Sequence, residues 1–378
     1  MNNDSLERYN AYIDKISSES IPQYEPFIGQ EEIDNVVNVL KGNWLSEGMY
    51  TRQFEDKIKK MYKMDYALAC ANGTGVLIMG LKALGIGKGD EVIVPSYTHP
   101  ADVNCIYAVG ATPKFCDIDL SNYCISPNSI IQNITKKTKA ILVVHLFGFA
   151  AEMGKIINIG MENDIPILED CAQALGTKYN NKLVGSFGEF GMLSFFADKT
   201  ITTGEGGMLI TDNQKLIDEV NIYKHDGRRE RGLDLIERQG YNFRITDIQS
   251  AIGVAQFDRL NDFINRKQIL NETYIEKLKP CDSITIINNN SKTYRVPHRI
   301  VINAKRSIEL IDFLAKKGIG CRRSYRPMHS EPICNVEGAF PNSVLAYSEV
   351  VCLPSHPMLE KEHIDTITNS IFEFYLGS

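Results

Sequence analysis

Through its first half the chain alternates short apolar runs with amphipathic helical patterns, and this alternation restricts the fold more than any other feature. Runs at 66–70, 91–94, 112–117, 140–145 and 165–169 have strand length and turn residues at their ends. Between them, 75–84, 100–108 and 153–163 carry helical spacing. Strands that stay apolar along their whole length are buried on both faces, so the pattern predicts a mostly parallel sheet covered by helices. Right-handed crossovers then bring the strand ends to one edge, where ligands bind in such sheets. After about residue 255 the pattern changes to a long helical stretch (245–278) and strands at 284–287 and 294–302. A short helix (307–317), a loop rich in Arg, Tyr and Pro, and a last helix (361–375) follow. The expectation is an α/β protein in three parts. A polar N-terminal arm (1–25) precedes a large domain with a mostly parallel mixed sheet flanked by helices (26–254), and a smaller α/β C-terminal domain (255–378) follows.

Composition narrows the function. With 378 residues and a net charge of −6, the chain lacks the basic excess that phosphate-backbone binding needs, which argues against nucleic acid as a partner while allowing local cationic pockets. The first twenty residues are polar and carry acids, unlike a signal peptide. The most apolar stretch, 140–151, is interrupted by His145 and is too short to span a bilayer, so no membrane association is expected. Nine scattered cysteines with no C-x-x-C pair read as reduced thiols of a cytoplasmic protein. Dispersed histidines offer no metal-ligand spacing, so no metal site is expected. The dinucleotide fingerprint, the P-loop and the nucleophile elbow are also missing from the sequence.

Three segments could carry chemistry. In Ser194-Phe-Phe-Ala-Asp-Lys-Thr-Ile-Thr-Thr-Gly-Glu-Gly-Gly207, Lys199 stands between an apolar run and a glycine-rich turn. Alone it reads as a loop lysine, but a fixed, partly desolvated amine is also what a Schiff base requires. Glu169 and Asp170 end an apolar strand pattern, with Gln173 three residues on. A helix-capping acid is the plain reading there. A carboxylate at that edge is also what keeps a pyridoxal ring nitrogen protonated. The stretch between Asp170 and Lys199 leaves room for one or two short strands, so acid and amine could meet on one ring. Ala71-Asn-Gly-Thr-Gly75 sits between strand and helix, where free N–H groups suit a phosphate monoester.

Together these segments resemble the DegT/DnrJ/EryC1/StrS family of pyridoxal-phosphate-dependent sugar aminotransferases, of fold type I, and are closest to its perosamine-synthase branch. The matching motifs run in order: Trp44-Leu-Ser-Glu-Gly48, Asn72-Gly-Thr74, Gly87-Lys-Gly-Asp-Glu-Val-Ile-Val-Pro95, Glu169-Asp-Cys-Ala-Gln173, Ser194 to Gly207, Gly240-Tyr-Asn-Phe-Arg244 and Pro327-Met-His329. The resemblance implies that Lys199 holds pyridoxal 5'-phosphate covalently and shuttles protons. Asp170 would pair with the ring nitrogen, and Gln173 would contact the phenolic oxygen. Gly73, Thr74 and Ser194 would bind the phosphate, and Asn242 would reach it from the other subunit of a homodimer. His99 stands where the family commonly has an aromatic residue stacked on the ring, and a capping histidine is the competing reading.

The implied reaction moves an amino group from L-glutamate to a nucleotide-linked keto-sugar, with a 4-keto-6-deoxyhexose favoured over a 3-keto sugar. Both substrates are anionic. Lys224, Arg228, Arg229, Arg231, Arg244, Arg322, Arg323 and Arg326 are the candidate cations near them, with Arg244 and Arg322 preferred and His329 a candidate sugar contact. Family members that act as dehydratases carry histidine at the Schiff-base position, so Lys199 argues for transamination. A non-catalytic regulatory homologue would be expected to lose the lysine or the acid, and both are present.

Overall fold

The computed structural model describes residues 21–229, 232, 234–287 and 291–376. Most of the expected N-terminal arm (1–20) and the candidate cation Arg231 lie outside the described residues. Two helices, α1 (Gln30–Lys41) and α2 (Met49–Tyr62), lead into the main sheet. Its strands are β1 (Tyr66–Cys70), β2 (Glu91–Pro95), β3 (Thr112–Cys116), β4 (Thr138–Val144), β5 (Ile167–Asp170), β8 (Phe190–Ser194) and β9 (Gly207–Thr211), in spatial order β1-β9-β8-β5-β4-β2-β3. Pairing is parallel from β8 through β5, β4 and β2 to β3. Only β9, inserted between β1 and β8, runs antiparallel to its neighbours. The short strands β6 (Lys178–Tyr179) and β7 (Lys182–Leu183) form a separate small sheet.

Crossover helices α3 (Gly73–Ala83), α4 (Pro100–Ala108), α5 (Pro127–Asn133), α6 (Met153–Asn163) and α7 (Gln214–Lys224) cover the main sheet. Strand periodicity explains why both sides need cover. Along β4, Ile141 and Val143 enter one core while Ala140 and Leu142 enter the other. Each of the larger apolar side chains contributes about 1.5–3 kcal/mol by leaving water, which outweighs any single local propensity.

The stretch 245–278 is two helices, α8 (Asp247–Asp258) and α9 (Leu260–Leu278), hinged at Arg259. The guanidinium of Arg259 pairs with Glu32 and stacks over Phe27 at 4.8 Å. The junction is therefore fixed by α1 and the strap before it, which helical periodicity does not register. Early residues of α9 (Phe263, Ile264) pack with the main core, and later ones (Leu270, Tyr274, Leu278) with a third core. That third core is closed by β10 (Ile284–Thr285), β12 (Ile300–Ala304), β13 (Arg322–Arg323) and β14 (Val350–Leu353), an antiparallel sheet in the order β10-β12-β14-β13. Helices α10 (Ser307–Lys316), α11 (Pro341–Glu349) and α12 (Lys361–Leu376) flank it.

The single strand expected over 294–302 is broken. Its start, β11 (Thr293–Tyr294), pairs with β6 in the small sheet, while β12 begins only at Ile300. Pro297, which has no N–H to donate, lies in the gap with the buried polar residues Arg295, His298 and Arg299.

Candidate active site

The C-terminal ends of β4, β5 and β8 face the N-termini of α3 and α4 across one pocket. Gly73, Thr74, His99, Asp170, Gln173, Ser194 and Lys199 all line it. Asn242, Arg244, Arg322 and His329 do not.

One end of the pocket is built largely from backbone. At the start of α3 the first N–H groups lack intrahelical partners, and the Asn72 carboxamide takes up only that of Gly75, at 2.8 Å. Gly73 and Thr74 are thus presented at the positive end of the helix, with the Ser194 hydroxyl at the end of β8 opposite them. Close backbone approach makes the cup: a Cβ on Gly207 would lie 2.5 Å from the Asn72 carbonyl carbon. The donor set, two amides and two hydroxyls at a helix start, fits a phosphate monoester.

Adjacent acids at the end of β5 point to opposite faces of the sheet. Glu169 turns away from the pocket and is consumed by structure. It accepts N–H bonds from Gly185, Phe187 and Gly188 at 2.6–2.8 Å, and its carboxylate meets His145 Nε2 at 3.0 Å. His145, Glu169 and Cys171 lie close enough together to suggest a metal site. However, His145 Nδ1 accepts the Ala151 N–H, so Nε2 carries the proton given to Glu169 and neither nitrogen is left for an ion. Asp170 points into the pocket, where its Oδ1 accepts the Ala172 N–H at 2.7 Å. A ring cation placed there would meet a carboxylate already oriented.

Lys199 sits on a loop closed on itself. Phe195 accepts from Thr203 N–H and Thr202 Oγ1 and donates to the Gly206 carbonyl, while Lys199 N–H bonds to the Phe196 carbonyl. This loop brings the amine to within 3.4 Å of Asp198 Oδ1. Asp198 also receives Arg299 at 2.5 Å. Burial pushes the Asp198 carboxyl up, but Lys199, Arg299 and Arg322 together outweigh it and hold the group below its ordinary range.

His99 combines both readings of its position. Its Nδ1 accepts the Ala101 N–H at 3.1 Å, capping α4, and its ring lines the pocket edge-on to Tyr325 at 5.4 Å. Partial desolvation where the ring lines the pocket, reinforced by the charge of Lys199, lowers its pKa although the residue keeps an exposed edge. The imidazole is therefore neutral at pH 7. Gln173 is held at both ends: Oε1 accepts the N–H of Phe147, a residue at φ +56°, and Nε2 donates to the Tyr325 hydroxyl at 3.0 Å.

Tyr325 and Asp198, which touch Gln173 and Lys199, are neighbours that sequence reasoning passed over. Tyr325 belongs to the Arg/Tyr/Pro loop, whose composition stands out, but only tertiary contact brings its hydroxyl to Gln173. Asp198 directly precedes Lys199, and this adjacency is the one sequence signal that pointed to it.

The remaining candidates are distributed more widely. Asn242 is exposed, on a strand-like segment whose neighbour Phe243 accepts the Ala71 N–H beside the phosphate cup. Arg244 is paired with Asp226 at 2.8 Å. Arg322 lies 5.8 Å from the Tyr325 ring and is close enough to act on both His99 and Asp198. His329 is tied to Ser96 Oγ at 2.5 Å and lies against Phe340. Lys224 is buried against Glu47 at 2.7 Å, Arg229 pairs with Glu237, and Arg323 stacks on Tyr347. Arg228 faces Asp226 at 3.7 Å, and Arg326 faces Glu331 at 3.9 Å.

A mixed sheet of this order, with lysine, carboxylate and phosphate cup converging at the strand ends, defines a pyridoxal-phosphate-dependent transferase of fold type I. The profile of the DegT/DnrJ/EryC1/StrS aminotransferase family matches residues 26–372, and the chain belongs to that family. It is a pyridoxal-phosphate-dependent aminotransferase. A GDP-perosamine synthase of Escherichia coli O157:H7 is 38% identical over 366 residues, covering 94% of this chain and 98% of the relative. A dTDP-3-amino-3,6-dideoxy-alpha-D-galactopyranose transaminase of Aneurinibacillus thermoaerophilus is 32% identical, covering 90% and 95%. Among solved structures, an aminotransferase from Psychrobacter cryohalolentis superposes with a TM-score of 0.88 at 28% identity, covering 93% of this chain and 98% of the other.

Proposed function

We propose that this enzyme transfers an amino group from L-glutamate to a nucleotide-linked 4-keto-6-deoxyhexose, in the biosynthesis of an amino sugar for a surface polysaccharide or glycoconjugate. The observation that carries the reading is the meeting of Lys199, Asp170 and the Gly73–Thr74–Ser194 cup in one pocket, in a chain 38% identical to a GDP-perosamine synthase. Pyridoxal phosphate, when bound, supplies an electron sink for the carbanion that amino transfer passes through.

In this reading Gly73, Thr74 and Ser194 anchor the cofactor phosphate, and Asp170 holds the ring nitrogen in its protonated form. Gln173, fixed by Phe147 and Tyr325, directs its remaining N–H at the phenolic oxygen. The flat, neutral ring of His99 covers one face of the cofactor. Lys199 holds the cofactor until substrate arrives. Its Nζ would be the base that takes a proton from the glutamate carbon and returns one to the sugar carbon, with the bound cofactor supplying the electron sink. Arg322, beside Tyr325 and Asp198, is the cation best placed for an anionic substrate; Arg244 and His329 are the further candidates at the mouth.

The working unit in this reading is a homodimer. Ile33, Leu40, Trp44 and Met49 are each more than half exposed, an apolar surface on α1, the loop after it and the start of α2 that water disfavours. In this reading a second copy covers this surface and contributes its own Asn242, exposed in the single chain, to the cofactor phosphate. No helix among the described residues is long and apolar enough to cross a membrane, and all nine cysteines are free thiols. Both features support a cytoplasmic setting.

The test is incubation of the loaded enzyme with glutamate and a panel of nucleotide-linked 3- and 4-keto sugars, read by product mass. Aminated 4-keto substrate and no product with Lys199→Ala is the expected result. Amination of 3-keto sugars alone would redirect the reading to the chemistry of the Aneurinibacillus relative, and full activity of Lys199→Ala would remove it.

A further inference from the structure

Beside Asp170, and not among the residues that line the pocket, lies a second carboxyl group. Asp102, in the first turn of α4, is completely buried. Its Oδ2 accepts the Thr98 hydroxyl at 2.5 Å, and among the described residues no N–H or hydroxyl donor reaches its Oδ1. The group its side chain meets instead is the carboxyl of Asp170, within hydrogen-bonding reach.

Two carboxylates in contact in a dry interior cannot both be ionised, so the pair must hold a proton. The surroundings decide which member holds it. Asp170 accepts a backbone N–H from Ala172 and faces the amine-bearing pocket, both of which favour its anion. Asp102 has only one hydroxyl. Burial, with the Asp170 charge next, raises its pKa well above the carboxylate range, and the more distant Lys199 opposes this without reversing it. The Cys105 thiol, one turn along α4, donates to the Asp102 backbone carbonyl and not to its carboxyl.

We propose that Asp102 is a positioning residue: in its protonated form it donates to Asp170 and aims that carboxylate at the cofactor ring nitrogen. The inference rests on the assignment of Asp170 to the ring nitrogen. Chemically, the arrangement fixes an anion with a neutral acid and so avoids placing a second charge beside the ring.

The cofactor-free protein provides a readout independent of activity. At neutral pH its infrared spectrum should contain a protonated-carboxyl C=O stretch that Asp102→Asn lacks. Glu55, whose carboxyl burial holds up to about 7, contributes equally to both spectra and cancels. In the loaded enzyme, Asp102→Asn keeps a donor toward Asp170 and should preserve cofactor affinity and absorbance. Asp102→Leu keeps the branching and heavy-atom count of the side chain, though it is bulkier, but removes a hydrogen bond to a charged group, and should weaken cofactor binding by about tenfold or more. An unchanged infrared difference, or Leu and Asn variants with the same cofactor affinity and spectrum, overturns the proposal. If Asp170→Asn binds cofactor normally, the assignment of Asp170 falls and the inference with it. If Asp170→Asn loses cofactor while the Asp102 band is absent, the inference alone falls.

Discussion

Glu47 shows how one side chain of the Trp44-Leu-Ser-Glu-Gly48 motif acts at a distance. It accepts from Lys224 at 2.7 Å and His225 at 2.9 Å, and so ties the loop before α2 to the end of α7. Burial alone would raise its carboxyl, but His225 and Lys224 override it and bring it down to about 2. A depressed carboxyl contributes stability that is fully present above its unfolded value of 4.5 and is lost as pH falls toward 2. Glu47→Gln should therefore lower unfolding stability at pH 7 by about 1–2 kcal/mol after solvent screening. Urea titrations of the two proteins should converge as pH drops through this window. His99 makes a second residue-scale prediction. If the neutral imidazole is a stacking surface and cap, His99→Phe should retain cofactor affinity, with changes confined to absorbance and substrate turnover. Unchanged spectrum and kinetics would leave histidine with no specific role.

Among the elements, the turn from β1 to α3 has the most consequence for the site. Asn72 as N-cap is legible from its residue type and place, and Asn72→Ala should cost about 1 kcal/mol in thermal or urea unfolding. It should also weaken cofactor binding, because the cap sets the direction of the Gly73 and Thr74 amides. Gly207→Ala should be more damaging. Its Cβ would press on the Asn72 backbone, and overpacking of this kind costs about 1–3 kcal/mol. Fluorescence titration of the cofactor into each variant would separate the two effects. The strands of the main sheet are visible in the sequence because burial on both faces demands continuous apolar runs. The division of 245–278 at Arg259 is less visible, since the cause is an ion pair with Glu32 on a helix far away in the chain. Likewise 294–302 reads as one strand until Pro297 and its buried polar neighbours are placed between two different sheets.

For the molecule as a whole, the proposed dimer makes a prediction that a single chain does not. Lys199→Ala protein lacks the amine, and Asn242→Ala protein lacks the partner contact to the phosphate. Mixed under exchange conditions, the two should regain activity, because one heterodimer site then combines an intact Lys199 with an intact partner Asn242. Failure to regain activity in a verified heterodimer would place Asn242 outside the partner's site. Replacing Trp44, which is 61% exposed, with glutamate should shift the assembly toward monomer in sedimentation and reduce activity most at low protein concentration.

The sequence by itself determined the α/β pattern, the order of the strands along the chain and the motif residues that line the pocket, because these follow from local spacing and residue chemistry. Only the tertiary structure decided which of two adjacent acids faces the pocket, which of the cations are already paired, and which residues join the site from far along the chain. Strand register turns Asp170 inward and Glu169 into a net of backbone amides. The loop after β13 brings Tyr325 to Gln173, and the first turn of α4, a helix that packs on α3, β2 and β3, brings Asp102 to Asp170. Such contacts depend on which surfaces meet when the layers close, and no window along the chain contains both partners.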